Sequence, residues 1–261
     1  MLSRIDLNSD VGESFGRYKL GFDERLMACI SSANVACGMH AGDPSVMRRT
    51  VEKALSLGVK VGAHPSYPDL QGFGRRTLDM GPDEVYEFTL YQMGALDAFL
   101  RARGSKLTHV KPHGALYNDV YKRALKGDRT YCEAIASAVK DFDPSLWVVT
   151  LAGNVTMEIY ASLGLKVAGE VFADRAYNPD GSLVPRGVKG AVIEDVEAVV
   201  ERVVRMVERG EVEAMDGSAI KGLSFHTICL HGDSEGAVEM AERIRKALSE
   251  RGISIKSFAE P

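Results

Sequence analysis

Four of the six histidines in this chain, His40, His64, His113 and His231, stand just after short apolar runs, and each has other reactive side chains beside it. Asp6, Asn8 and Asp10 alternate in Asp-Leu-Asn-Ser-Asp-Val-Gly-Glu. Cys37 and Asp43 flank His40, Lys111 precedes His113, Glu170 precedes Asp174 and Arg175, and Asp233 follows His231. Imidazoles and carboxylates perform general acid–base chemistry or hold a borderline metal ion. A lysine at a strand end stabilises a developing oxyanion, and a guanidinium clamps a carboxylate. His109 and His226 fall within or before apolar runs and read as structural.

Each group also has a plainer reading. Alternate residues of a strand share a face, so Asp6 and Asn8 can both point inward as acid–base groups or metal ligands. Aspartate and asparagine equally favour caps and turns. Asp10, His40 and His64 together offer a carboxylate and two imidazoles to a divalent metal, without a compact motif to reinforce the set. Asp43 before Pro44 is read first as a helix N-cap. Lys111 is a cation for an oxyanion or phosphate, or a surface lysine covering a strand end. Asp174 and Arg175 suit a substrate carboxylate, or simply pair with each other. Arg75 and Arg76 follow Gly72-Phe73-Gly74 and form either an anion clamp or a solvated turn. Cys37 is read as packed rather than nucleophilic.

These residues need elements to bring them together. Short apolar runs at Leu2–Leu7, Ser32–Ala36, Val59–Ala63, Leu107–Lys111, Leu146–Leu151, Leu165–Val171 and Thr227–Leu230 each lead into a polar, Gly-rich loop. Helical patterns follow near Asp23–Ile30, from Pro44 to Leu57, from Pro82 to Arg103, after His113 with a break near Asp128, up to Gly164, at Glu194–Glu208 and on to Arg251. Ile253–Phe258 could add a terminal strand. Strands alternating with helices of this length predict a parallel sheet with helical crossovers. The expectation is one α/β domain over residues 1–261, a (β/α)7-type barrel, with a doubly wound open sheet as the alternative. In a parallel barrel the reactive groups collect at the carboxyl ends of the strands, which is where the four histidines fall. The loops at 65–81 and 172–190 are long enough to suggest function.

With 261 residues, 45% hydrophobic and 26% charged, the chain needs no staple for its core. A net charge of −4 gives no basic footprint for nucleic acid. No apolar stretch is long enough for a membrane span. The four cysteines form no C-x-x-C pair, and no signal peptide precedes Asp6, so a cytoplasmic location with reduced thiols is expected. Phosphate loops of the G-x-x-x-x-G-K-[ST] or G-x-G-x-x-G type and a G-x-S-x-G serine elbow are missing from the sequence.

The long motifs allow more. Asp6–Glu13, Ala33–Pro44, Gly62–Asp69, Gly72–Arg76, Val110–Asn118, Glu170–Arg175 and Cys229–Asp233 resemble, in order and over nearly the whole chain, the signatures of the LamB/YcsF family. Ser9 stands where that family commonly has cysteine, which argues against a required thiol there. The family is known as the PxpA component of prokaryotic 5-oxoprolinase. The resemblance implies a seven-stranded barrel similar to glycoside hydrolases and polysaccharide deacetylases. It also implies ATP-dependent opening of 5-oxo-L-proline to L-glutamate, with ATP as its Mg complex and PxpB and PxpC as partner subunits. On that reading Asp6, Asn8, Asp10, His64, Lys111, His113 and His231 are the catalytic candidates. Asn34, Arg75, Glu170, Asp174 and Arg175 are the substrate-binding ones. Asp10 or His64 would serve as base, Lys111 as cation and Arg175 as clamp. The alternatives are a metal-dependent amidase or deacetylase acting alone, and a non-catalytic sugar-binding or regulatory component.

Overall fold

The computed structural model describes residues 2–232 and 236–260; Asp233, singled out above, lies outside them. In chain order the elements are β1 (Arg4–Val11), α1 (Asp23–Leu26), β2 (Ser32–Ala36), α2 (Pro44–Ser56), β3 (Lys60–His64), α3 (Pro82–Arg101), β4 (His109–Val110) and α4 (Gly114–Leu125). There follow α5 (Thr130–Phe142), β5 (Trp147–Leu151), α6 (Val155–Ser162), β6 (Lys166–Phe172), α7 (Val196–Arg209), β7 (Val212–Glu213), β8 (Ala219–Ile220), β9 (Thr227–Cys229), α8 (Ala237–Glu250) and β10 (Ser254–Ile255).

Seven parallel strands, β1 to β6 and β9, pair in sequence, and β9 returns to β1 to close a (β/α)7 barrel. The open-sheet alternative is thereby excluded. The short β10 pairs with β1 outside that ring, at Arg4 and Ile5. Local chemistry sets the helix boundaries. The Asp43 carboxylate caps α2 by accepting from the Ser45 and Val46 amides at 2.8 and 3.0 Å, and Pro44 needs no partner at the first helical position. Asn154 and Asp195 cap α6 and α7 in the same way. Apolar faces of the helices pack on the outer faces of the strands, through residues such as Val51, Leu96, Leu100, Ile135, Val203 and Ile244.

The structure changes two boundaries and adds one hairpin. β1 runs through Asn8 and Asp10 to Val11, where a loop was expected, because β2 pairs with it from Asn8 to Val11. α1 makes a single turn instead of reaching Ile30, since the chain must bend at Ser31, whose amide bonds to the Leu7 carbonyl at the entry to β2. The antiparallel hairpin β7–β8 had no counterpart in the sequence reading. Among the described residues, no helix is long and apolar enough to cross a membrane.

Candidate functional site

The interior of the barrel is polar. On β1 the residues Asp6, Asn8 and Asp10 face inward at successive depths. Asp6 is the deepest, at the amino end, where it accepts hydroxyl protons from Ser31 at 2.6 Å, Ser32 at 2.7 Å and Thr227. The sequence reading counted Asp6 among the catalytic groups. It lies roughly 13 Å of strand below Asp10, held among hydroxyls at the floor, and it does not line the cavity at the mouth. Burial pushes its carboxyl up to about 6.

Asn8 and Asn34 form the next layer. Asn8 donates to Glu170 at 2.9 Å and to Thr227 at 2.7 Å. Asn34 donates to Asn8 at 2.7 Å and to Asp10 at 2.9 Å, and its carbonyl meets His109 Nε2 at 2.9 Å. Asn8, Asn34 and Glu170 were expected at the substrate or in the chemistry. All three are buried beneath the mouth and position the groups above them.

Lys111 joins the layers. Its ammonium lies 2.8 Å from Glu170, 3.1 Å from Asp10 and 3.2 Å from Asn8 Oδ1. Burial opposes its charge, but Asp10 and Glu170 outweigh burial and hold the ammonium well above its ordinary range. Tyr117 donates to the second oxygen of Glu170 at 3.1 Å. Asp10 turns its other oxygen to His64 Nε2, 3.2 Å away. Burial presses Asp10 toward the neutral acid, yet the adjoining His64 and the Lys111 ammonium prevail and keep it well below the usual carboxylate range.

Three imidazoles gather beside Asp10. His40 comes from the turn after β2, His64 ends β3, and His113 caps the start of α4. His40 and His113 stack with ring centres 3.7 Å apart, and His64 meets His113 edge-on. Burial keeps His40 and His113 well below the ordinary histidine range, so both are neutral at neutral pH. Glu13, just past β1, stands 3.4 Å from His40 Nε2, and burial with the Asp10 charge pushes its carboxyl up to about 7. The loop over these rings is built to fit them. Phe73 adopts a left-handed φ of 56°, and its carbonyl oxygen meets His113 Nε2 at 2.9 Å. A side chain at Gly74 would strike His40 and His113, its Cβ coming within 2.8 Å of both. Strained backbone of this kind persists where the surroundings hold it.

A cavity of about 280 Å³ opens over this floor, lined by Asp10, Glu13, His64, Lys111, His113 and His231 together with Arg75, Tyr117, Arg175 and Arg186. That is near the lower edge for small-molecule sites and suits one small ring. His231 lies 2.9 Å from Asp174 and stacks on Phe172. Asp174 therefore backs a histidine instead of forming an ion pair with its neighbour. Arg175 lines the cavity, but its guanidinium also bonds to the carbonyls of Ala191 and Val184 at 3.2 and 2.6 Å, bracing the long loop. Burial, with Arg186 nearby, lowers Arg175 to about 10. Arg76 pairs with Asp69 and braces its own loop, whereas Arg75 faces the cavity. Cys37 is buried, and burial raises its thiol to about 12, which excludes it as a nucleophile.

Sequence reasoning did not nominate Glu13, Tyr117 or Arg186. Glu13 is the last polar residue of the first motif, and Tyr117 lies one helical turn after His113. Arg186 sits in a loop whose length was its only signal. Among the described residues, two sets of side chains could hold a metal ion: Glu13 with His40, His64 and His113, and Asp10 with Cys229 and His231. The first set contains two of the three expected ligands, His40 and His64, with Glu13 in place of Asp10.

Fold and site together define a (β/α)7-barrel enzyme whose mouth carries a buried lysine–carboxylate network and a cluster of histidines. The model of the LamB/YcsF family matches residues 5–261. The 5-oxoprolinase A-subunit of Pyrococcus abyssi is 56% identical over 252 residues, 97% of this chain and 96% of that one. A lactam utilization protein from Thermus thermophilus superposes with a TM-score of 0.90 at 45% identity, covering 98% of this chain and 100% of that chain. A family 4 carbohydrate esterase from Streptomyces lividans shares the fold alone, with a TM-score of 0.50 and 13% identity over 97% of this chain and 91% of that one. The chain belongs to the LamB/YcsF family.

Proposed function

We propose that this chain is the lactam-binding, ring-opening subunit of an ATP-dependent 5-oxoprolinase, working in the cytoplasm with PxpB and PxpC on 5-oxo-L-proline. The observation that carries the reading is the Asp10–Lys111–Glu170 network at the base of a cavity sized for one small ring. The names of relatives aligned over nearly their whole length support it.

A lactam is a poor electrophile, and coupling to ATP, bound as its Mg complex, makes it reactive. Phosphorylation of the amide oxygen exposes the ring carbon to water. The C–N bond then breaks, the nitrogen leaves as the amine, and a second water releases phosphate from the acyl phosphate to give L-glutamate. The chain lacks the common phosphate loops, so a partner supplies much of the nucleotide site. Asp10, held in its charged form, orients the attacking water and takes its proton as the C–O bond forms. Lys111 fixes Asp10 and offers positive charge toward the amide oxygen. His64 turns toward the other histidines and positions Asp10. Arg75, Arg175 and Arg186 bring positive charge to the side of the cavity where the ring carboxylate would bind.

The test is release of glutamate and ADP from 5-oxo-L-proline by the chain alone and then with both partner subunits. Stoichiometric release only from the full mixture supports the reading. No release from any mixture of folded proteins overturns it in favour of an amidase acting alone.

A further inference from the structure

The protons on the three clustered imidazoles can be placed from their neighbours. His64 Nδ1 lies 2.7 Å from the Lys111 carbonyl oxygen, and His113 Nε2 lies 2.9 Å from that of Phe73. A carbonyl only accepts, so both nitrogens carry hydrogen. His40 Nδ1 lies 3.0 Å from Ser66 Oγ, whose own proton goes to the Tyr67 carbonyl at 2.9 Å. The hydroxyl therefore accepts from His40 Nδ1–H.

With a single proton on each ring, this leaves lone pairs on His40 Nε2, His64 Nε2 and His113 Nδ1, and these atoms converge. His64 Nε2 and His113 Nδ1 are 2.9 Å apart. Glu13 Oε1 stands 3.4 Å from His40 Nε2 and 3.9 Å from His113 Nδ1. One ligand atom from each of the four residues lies within 4.8 Å of all the others. His40 Nε2 is buried and, among the described residues, has no hydrogen-bond partner. Four electron-rich atoms directed at one point repel each other unless a proton or a metal ion sits among them.

We infer that Glu13, His40, His64 and His113 bind one divalent transition-metal ion at the edge of the cavity. A tetrahedral ion with ordinary metal–nitrogen bonds spaces its ligand atoms roughly 3.3 Å apart, within the range seen here. Each imidazole gives its second N–H to a carbonyl or hydroxyl, the outer support that metal-binding histidines have. Three imidazoles and one carboxylate favour Zn2+, Co2+ or Ni2+ over Mg2+ or Ca2+, which prefer oxygen ligands. When bound, such an ion supplies Lewis acidity beside Asp10.

The test uses the full chain, stripped with chelator and titrated separately with Zn2+, Co2+ and Mg2+, by calorimetry and, for Co2+, by visible absorption. One Zn2+ or Co2+ per chain, with visible bands for Co2+ and no competition from Mg2+, is expected. His40→Asn and His113→Asn should each weaken uptake about 100-fold or more, and Ser66→Ala, which keeps every ligand, about 10-fold. Circular dichroism checks that each variant is folded. Failure of the folded wild type to bind, or uptake unchanged in both histidine variants, overturns the inference. So does nitrogen NMR showing His64 doubly protonated in the presence of metal, because protons would then occupy the site. Uptake is read without substrate or partner subunits, so the result stands apart from the lactam assay.

Discussion

The two ends of the barrel bury similar side chains and treat them differently. At the floor, Asp6 meets only neutral donors: the hydroxyls of Ser31, Ser32 and Thr227, with Ser257 completing the chain 2.9 Å from Ser32. At the mouth, Asp10 is partly open to the cavity and meets Lys111 and His64. Burial alone raises a carboxyl, and hydroxyls offset that only partly, so Asp6 sits at about 6. His64 and the Lys111 ammonium reverse the balance, and Asp10 stays well below its ordinary range. The floor is self-contained, each donor finding its acceptor within the fold. Among the described residues, the mouth gives His40 Nε2 no hydrogen bond, only Glu13 3.4 Å away, and keeps its charges against an open cavity. A buried polar network whose members satisfy one another stabilises, whereas one directed at outside space is set for a ligand.

The contrast is tested most severely at Lys111. Lys111→Met should lower turnover of the reconstituted enzyme about 10²-fold or more. It also leaves Asp10 and Glu170 buried without their cation, which costs about 3–5 kcal/mol of stability. Kinetics at a temperature where circular dichroism shows a folded chain separate the two effects, and near-normal turnover there would remove Lys111 from the chemistry. Asp10→Asn keeps the shape and loses the charge, so turnover should again fall about 10²-fold with a smaller change in denaturation midpoint. If the two residues work as a unit, the double variant is little worse than either single one.

Asp6→Asn should do the reverse, changing stability and sparing turnover. The sign follows from the folded state favouring protonated Asp6. Stability carried by Asp6 is fully present below the unfolded value of 3.8 and is lost as pH rises toward about 6. Between pH 4 and pH 7 the wild type should therefore lose on the order of 3 kcal/mol relative to Asp6→Asn. Denaturant titrations of both proteins across that range measure the difference. A gap that stays constant, or a collapse of turnover in Asp6→Asn, would mean that floor and mouth are not distinct.

The same two regions explain what the sequence could and could not convey. Strand-end placement pointed to His40, His64, Lys111 and His113, because each stands at the end of an apolar run or within a few residues of it and the barrel must bring such positions together. The alternation of Asp6, Asn8 and Asp10 revealed which face they share, but a period of two carries no depth, so the floor residue was indistinguishable from the mouth residue. Glu13 lies past the end of β1, where periodicity stops. Asp174 and Arg175 looked like a pair because they are adjacent. The chain bends at Asp174 just past β6, and each found a different partner, His231 for one and backbone carbonyls for the other. The β7–β8 hairpin has two-residue strands, too short for any pattern to register.

The smallest effect belongs to Asp43, three residues from His40 and part of the same motif. Its surroundings decide its role. One carboxylate oxygen caps α2, and the other accepts from the Gly16 amide at 2.7 Å, tying the loop after β1 to the helix. All its bonds are to backbone amides, and it does not line the cavity. Asp43→Ala should therefore cost about 1 kcal/mol, as loss of an N-cap does, and leave both turnover and metal uptake at wild-type values. Denaturation midpoint and turnover on the same preparation check this. Lost turnover at unchanged stability would carry the mouth outward to the start of α2, and motif membership would then outweigh hydrogen-bond geometry in separating reactive carboxylates from structural ones.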